Sequence, residues 1–409
     1  MGSYALAYQT TGAHNTAFGR QALGGAAVTG NYNTAVGSGS LESNTTGEQN
    51  VSLGKSLYSN TTGSNNIAAG YFALAGNTTA NNNIAIGAYS MMTNSTGASN
   101  VAVGYDTLRS NTTGNWNTAV GHGALDSVTT GSNNTAVGRA TGGAQTTADY
   151  NTFVGAMNGN AITDGWGNTF IGSHTAYTAT TGGRNVAIGM FALKVMTTAS
   201  DNTFIGYNSG EAVTTGSSNT SVGKDSAKDL TTGTGNSFYG IDAGANLTTA
   251  NYCTLIGNGA GDNLTTGSSN ICLGQEARAS SATVTDEITL GNASISTLRC
   301  ATQTISSLSD RRDKTDINTL DLGLDFIDSL KPVKFKWNSR EGIAKDGTYE
   351  AGFIAQDFQQ AQKDNDADYL GLVLESNPDK LEASYGKLVP ILVKAIQELK
   401  QEIELLKTT

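Results

Sequence analysis

The sequence predicts a mainly β protein, in which a parallel β-solenoid or β-roll of 17-residue rungs is followed by an α+β domain that ends in a coiled-coil helix. Three observations carry this reading. A pentapeptide ending in glycine recurs with a 17-residue period as far as Gly291, the composition changes near residue 300, and apolar residues follow a heptad pattern at the end of the chain.

The pentapeptide is of the type Asn-Thr-Ala-Val-Gly. It ends at Gly19, Gly37, Gly54, Gly70, Gly87 and so on to Gly291, and every step is 17 residues except one of 18 and one of 16 near the start. A complete unit is NTAVGHGALDSVTTGSN, residues 117 to 133. This period is too short for helical repeats, and the unit turns at glycine and at Thr-Thr-Gly, so each unit reads as one rung of a solenoid. The residue before the glycine is apolar throughout, as at Val36, Ile86, Val120, Ile171 and Ile256, and the residue two positions earlier is usually β-branched. Those two share one face of a short strand. Between them stands Ala or Ser in most rungs, as at Ala35, Ala102 and Ala136, or Phe, as at Phe153, Phe170, Phe204 and Phe238. A strand without charge on either face expects cover on both. In so narrow a solenoid the second cover is expected from another chain.

Asn opens the pentapeptide in 15 of 17 rungs, the exceptions being Cys253 and Glu287, so stacking predicts an asparagine ladder. At ~4.8 Å per rung the seventeen rungs predict a rod of about 80 Å, a fibre dimension. With its Gly-x-x-Ala sequel the pentapeptide resembles the left-handed β-roll heads of trimeric adhesins and the repetitive shafts of phage tail fibres. Gly2 lies one period before Gly19 and is followed by SYALAYQTTG. The chain therefore begins in mid-rung, as a truncated reading frame would.

Charge separates the halves. Residues 1 to 308 hold 25 of the 58 charged side chains and the last 101 residues hold the other 33. The expected organisation is a solenoid shaft over 1–291, a neck over 292–308 and a distinct domain over 309–409, with its helix at 385–407. A net charge of −10 and a pI near 4.8 leave no basic stripe for phosphates, which excludes nucleic acid as an expected partner. No run approaches the ~18 apolar residues of a membrane span and the start lacks a signal peptide, so no membrane insertion is expected and synthesis is placed in a cytoplasm. Cys253, Cys272 and Cys300 form neither an even disulfide set nor a CxxC pair and read as small buried residues; no metal and no cofactor is expected. His14, His122 and His174, far apart in sequence, read as surface residues. The NTT triplets match the glycosylation pattern because the sequence repeats, not because they mark sites.

At the C-terminus Tyr385, Val389, Leu392, Ile396, Leu399, Ile403 and Leu406 alternate steps of four and three, the seam of a coiled coil. Such a seam serves either an oligomer or the core of its own domain. Pro390 is uncomfortable inside a helix, so the regular helix is expected to start or kink there.

The stretch SDRRDKTDINTLDLGLDFIDSLKPVKFKWN from Ser309, with GFIAQDF at 352–358 and YGKLVPILVKAIQELKQEIELLK at 385–407, resembles the intramolecular chaperone domain at the C-terminus of phage endosialidases, tailspikes and neck-appendage proteins. In that family a serine opening an S-D-x-R-x-K motif and the motif's lysine form the dyad of a self-cleaving peptidase that cuts on the serine's N-terminal side. Ser309, Asp310, Arg312 and Lys314 fit the motif, which implies a catalytic Ser309 and Lys314 and a cut between Leu308 and Ser309. A serine hydroxyl needs a base to become nucleophilic, and a buried lysine can serve. The resemblance further implies a homotrimer in a virion tail, made in the host cytoplasm, that contacts other tail proteins and a host cell-surface glycan or protein receptor.

Two rivals remain for the shaft. A glycan depolymerase needs two carboxylates across a cleft, but residues 1 to 308 contain 15 acidic residues scattered over many rungs. A bacterial trimeric surface adhesin would carry a signal peptide and a membrane anchor. Trp116 and Trp166, beside the Asn corner of two rungs, are the candidate glycan contacts.

Overall fold

A computed structural model describes all residues except 1, 26, 296, 300–308, 338–346, 376, 380 and 409. They form two compact units, residues 1–290 and 291–409.

In the first unit seventeen short strands, β1 (Thr16–Phe18) to β17 (Ile288–Leu290), stack in one parallel sheet, one strand per rung. The register is one period, for example Thr118 on Thr135, Ala119 on Ala136 and Val120 on Val137. The irregular steps leave it intact: Thr16 pairs with Thr34 across 18 residues, and Val51 with Ile67 across 16. Insertions and losses are therefore absorbed in the corners. Most strands stop just before their glycine, where the rungs touch, and only β9 (Thr152–Ala156) and β10 (Thr169–Ser173) run through it. A Cβ on Gly70, whose φ is +139°, would lie 2.6 Å from the Gly87 carbonyl oxygen.

The strand's middle residue is the one that faces inward. Ala119, Ala136, Phe153 and Phe204 have no exposed surface, whereas the residue before the glycine lies outside, as Val36 and Ile86 do. The small or aromatic face is thus the core, and the Val/Ile face is uncovered along the sheet. The core's other wall is the residue four after the glycine, as at Leu74, Leu108 and Leu125, which is buried in left-handed backbone with φ near 50°. Left-handed residues also recur two after the glycine and just before the ladder asparagine. Such a conformation costs a side-chain-bearing residue roughly 1–2 kcal/mol. Here it turns the N–H along the stack: Leu108 donates to the Ala124 carbonyl, Tyr89 to that of Tyr71 and Asn133 to that of Asn115, at 2.9 to 3.0 Å.

The asparagine ladder is present. Asn117 Oδ1 accepts the backbone N–H of Asn134 at 3.0 Å, and its Nδ2 donates to the Gly131 carbonyl at 2.8 Å. At the first of the two exceptions, Cys253 Sγ takes over the bond to the Gly267 carbonyl. Cys253 and Cys272 are buried free thiols, and burial raises both, Cys272 to about 11. Cys300 lies outside the described residues. A second ladder, not anticipated from sequence, runs through Asn44, Asn60, Asn77, Asn94 and Asn111 by bonds of 2.7 to 3.1 Å between amides. It ends where Val128 takes the next place, and Asn111 Oδ1 is left buried without a partner.

The second unit packs helices α1 (Leu324–Ser329), α2 (Ala355–Asp364) and α3 (Val389–Thr408) with two small antiparallel pairings, β18 (Val333–Phe335) on β19 (Glu350–Gly352) and β20 (Val373–Leu374) on β21 (Glu382–Ala383). Its core is Phe326, Leu330, Phe358, Ala361, Leu372, Leu388 and Ile391. Glu398 on α3 accepts the free backbone N–H of Leu324 at the start of α1 at 2.7 Å, and that bond, with Lys394, holds its carboxyl below the usual glutamate range. A 3-10 turn at Tyr385–Leu388 precedes α3, so Pro390 falls in the first helical turn, where its missing N–H has no intrahelical partner to lose. Only Ile391 and Ala395 of α3 are buried. Tyr385, Val389, Leu392, Ile396, Leu399, Ile403 and Leu406 are all exposed, so the heptad seam is not the core of its own domain.

Candidate functional site

At the head of the second unit Asp310 shapes a single turn. Its Oδ1 accepts the backbone N–H of Arg312 at 2.9 Å and so caps the 3-10 turn Arg311–Asp313. The Arg312 guanidinium folds back on the same carboxylate, 2.6 Å from Oδ2, and holds the Asp310 carboxyl below the usual carboxylate range. The turn then leads Lys314 back toward the chain's entry, where its Nζ donates to Ser309 Oγ at 2.6 Å. Sequence spacing brings these two residues together through one capped turn. Asp310 and Arg312 organise the turn and do not touch the hydroxyl.

Ser309 and Lys314 are both exposed. A lysine becomes a base near neutrality when burial destabilises its ammonium, and among the described residues none covers Lys314. Leu308, the residue before the expected cut, lies outside the described residues.

Trp116 and Trp166 both stand on the corner before the strand and are largely exposed, at 64% and 50%. They are three rungs apart, and the structure does not bring them together. The Arg184 guanidinium lies over the Trp166 ring at 5.1 Å. The histidines also lie on outer corners among aromatic rings: His14 stacks on Tyr32 and His122 on Tyr105, while His174 lies against Tyr177 and Phe191. The sequence reading passed over the aromatic residues just after the glycines. Tyr71, Phe72, Tyr89 and Tyr105 form a continuous surface ladder with His122, with centroids 4.4 to 6.5 Å apart. Aligning the rungs would have shown it, because all of these residues fall one or two places after the repeat glycine.

Residues 309–366 match the family described as chaperone of endosialidase, and the match opens at Ser309 itself. No curated protein and no solved structure matches the chain. A β-solenoid of seventeen rungs followed by a segment that matches this chaperone family fits a tail-fibre-like or endosialidase-like protein.

Proposed function

We propose that the chain is the shaft of a phage tail fibre or tailspike that attaches to a host surface, assembled as a homotrimer by its C-terminal domain and then released by one cut between Leu308 and Ser309. The observation that carries this reading is the 2.6 Å contact of Lys314 Nζ with Ser309 Oγ at the first residue of the matched segment. Ser309 Oγ attacks the carbonyl of Leu308 while Lys314 takes the hydroxyl proton. The C–N bond breaks, the proton passes to the departing amine of Ser309, and Leu308 is left as an ester on Oγ. Water then hydrolyses the ester to the Leu308 carboxylate and restores the hydroxyl.

The exposed dyad supports a cut that waits for assembly, because other copies of the chain would supply the cover that makes Lys314 a base. The uncovered Val/Ile face of the sheet and the exposed heptad seam of α3 support the trimer. Once the domain is removed the shaft is kinetically trapped, since the template for its slow parallel pairing is gone. Adsorption of purified shaft to host cells, followed with its sedimentation, tests the reading. Trimeric shaft that adsorbs supports it, and a stable monomer or a shaft that host cells ignore contradicts it.

A further inference from the structure

The one shortened rung opens a notch in an otherwise regular surface. Gly70 and the buried Leu74 are separated by three residues, but Gly54 and the buried Leu57 by only Lys55 and Ser56. Strand register is unbroken across this step, so the lost residue belongs to the left-handed column two places after the glycine. Elsewhere that residue's N–H donates to the neighbouring rung, as Gly39 does to the Arg20 carbonyl and Phe72 to that of Lys55, both at 2.9 Å. At the short rung this donor is missing, and among the described residues nothing donates to the Ser38 carbonyl. The interior stays closed, because Ser40, Ser52 and Ser56 link their hydroxyls across the corner at 2.7 Å each. Outside, the missing residue and the adjacent Gly39 leave a cavity of about 430 Å³. That volume lies within the usual range of small-molecule sites, roughly 300–1,000 Å³.

The side chains around the notch depart from those of the shaft. Residues 1 to 308 carry 15 acidic and 10 basic side chains, yet Arg20 and Lys55 both border this cavity with Glu42 as the only carboxylate. Among the described residues neither cation has a carboxylate within ion-pair distance. The Lys55 ammonium is held over the rings of Tyr58 and Phe72 at 5.1 and 4.9 Å. Glu42 Oε2 and the Tyr58 ring lie over Gly39, 3.1 and 3.6 Å from where a Cβ would stand. Aromatic rings beside fixed acceptors and a net positive charge suit a sugar ring bearing an anionic group: apolar C–H faces lie on tyrosine, hydroxyls donate to carbonyl and carboxylate, and the acid meets the cations.

We propose that this notch binds an anionic saccharide unit, and that the Tyr71–Tyr89–Tyr105–His122 ladder, with rings 5.3 to 5.8 Å apart along successive rungs, carries further units of the same chain away from it. The inference rests on the attachment reading and names its ligand class. The full-length protein is titrated by calorimetry with tetragalacturonate, its fully methyl-esterified form and a sulfated carrageenan tetrasaccharide, so that carboxylate and sulfate are separated from the neutral ring. Two variants fill the notch: Gly39→Tyr, at a column position where Tyr89 already adopts the same left-handed backbone, and insertion of Phe between Lys55 and Ser56, which restores the 17-residue step. At least one acidic probe is expected to bind tenfold or more tightly than the ester, and both variants to lose tenfold or more with unchanged circular dichroism. Equal binding of acid and ester, no binding of either acidic probe, or undiminished binding by a folded Gly39→Tyr overturns the proposal. Adsorption to host cells is measured in parallel. Cells adsorbing a shaft that binds neither acid would leave the attachment reading standing without the notch, and acid binding without adsorption would do the reverse.

Discussion

Gly159 makes room for Phe153: a Cβ on the glycine would lie 2.7 Å from Cε1 of the ring. The same exchange recurs in the core, where Gly244 would collide with Phe238 and Gly261 with Leu255, whereas most rungs with Ala at the strand carry Leu at the corner, as Ala119 does with Leu125. Ala136 is the exception that fits the same packing, because its corner Gly142 leaves room for Leu125 and Phe153 of the adjoining rungs. Bulk at the strand is therefore exchanged for bulk at the corner in most rungs. Ala119→Phe alone is expected to overpack the rung and cost about 1–3 kcal/mol. Adding Leu125→Gly should restore most of the thermal midpoint, since Leu125 already sits at φ 52°, where glycine is at ease. A double variant as unstable as Ala119→Phe contradicts the pairing.

Whole rungs are the unit of tolerated change within the strands. Deleting residues 117–133 keeps every ladder in register and is expected to leave the circular dichroism spectrum nearly unaltered. Deleting Ala119 alone should turn Val120 inward and break the stack locally. The corner is more forgiving, as the native 16-residue step at Gly54 shows. If loss of Ala119 proves as silent as loss of a rung, the register argument fails.

Assembly is expected to depend on the exposed seam. Ile396→Asp with Ile403→Asp changes two residues that lie outside the core of the second unit, so that unit should still fold while the full chain loses its trimer and aggregates during synthesis, because long parallel pairing exposes unpaired edges until it is complete. Deleting 309–409 should do the same, whereas removing the domain after assembly should leave the shaft folded. Soluble trimeric shaft from the seam variant would contradict a templating role for α3.

Much of this was legible in the sequence because the repeat exposes its own geometry. The step of 17 residues placed every strand, the recurrent asparagine predicted the ladder that Asn117 and Asn134 form, and Pro390 marked the start of α3. What could not be read was which strand face lies inside, since Ala119 and Val120 are both apolar; the answer depends on the corner residue Leu125 filling the space beside alanine. The left-handed backbone at Leu108 and Tyr89 was also hidden, because neither residue favours it and only the stacked N–H bonds support it. The ladder from Asn44 to Asn111 was visible in principle as a second recurrent asparagine, but its five rungs give way at Val128 and the pattern fades. Ser309 and Lys314 were recognised from a motif, and the turn that joins them follows from Asp310 as its cap.

The central claim is tested most directly by the mass of the purified wild-type protein beside Ser309→Ala and Lys314→Ala. Wild type is expected to give a shaft ending at Leu308 and a 101-residue fragment beginning at Ser309, and each variant an intact chain of 42.1 kDa that still sediments as a trimer. On the proposal that assembly covers Lys314, the seam variant should also remain uncut. A wild-type trimer that stays whole, or a cut that persists in Lys314→Ala, contradicts the dyad and the release of the shaft that depends on it.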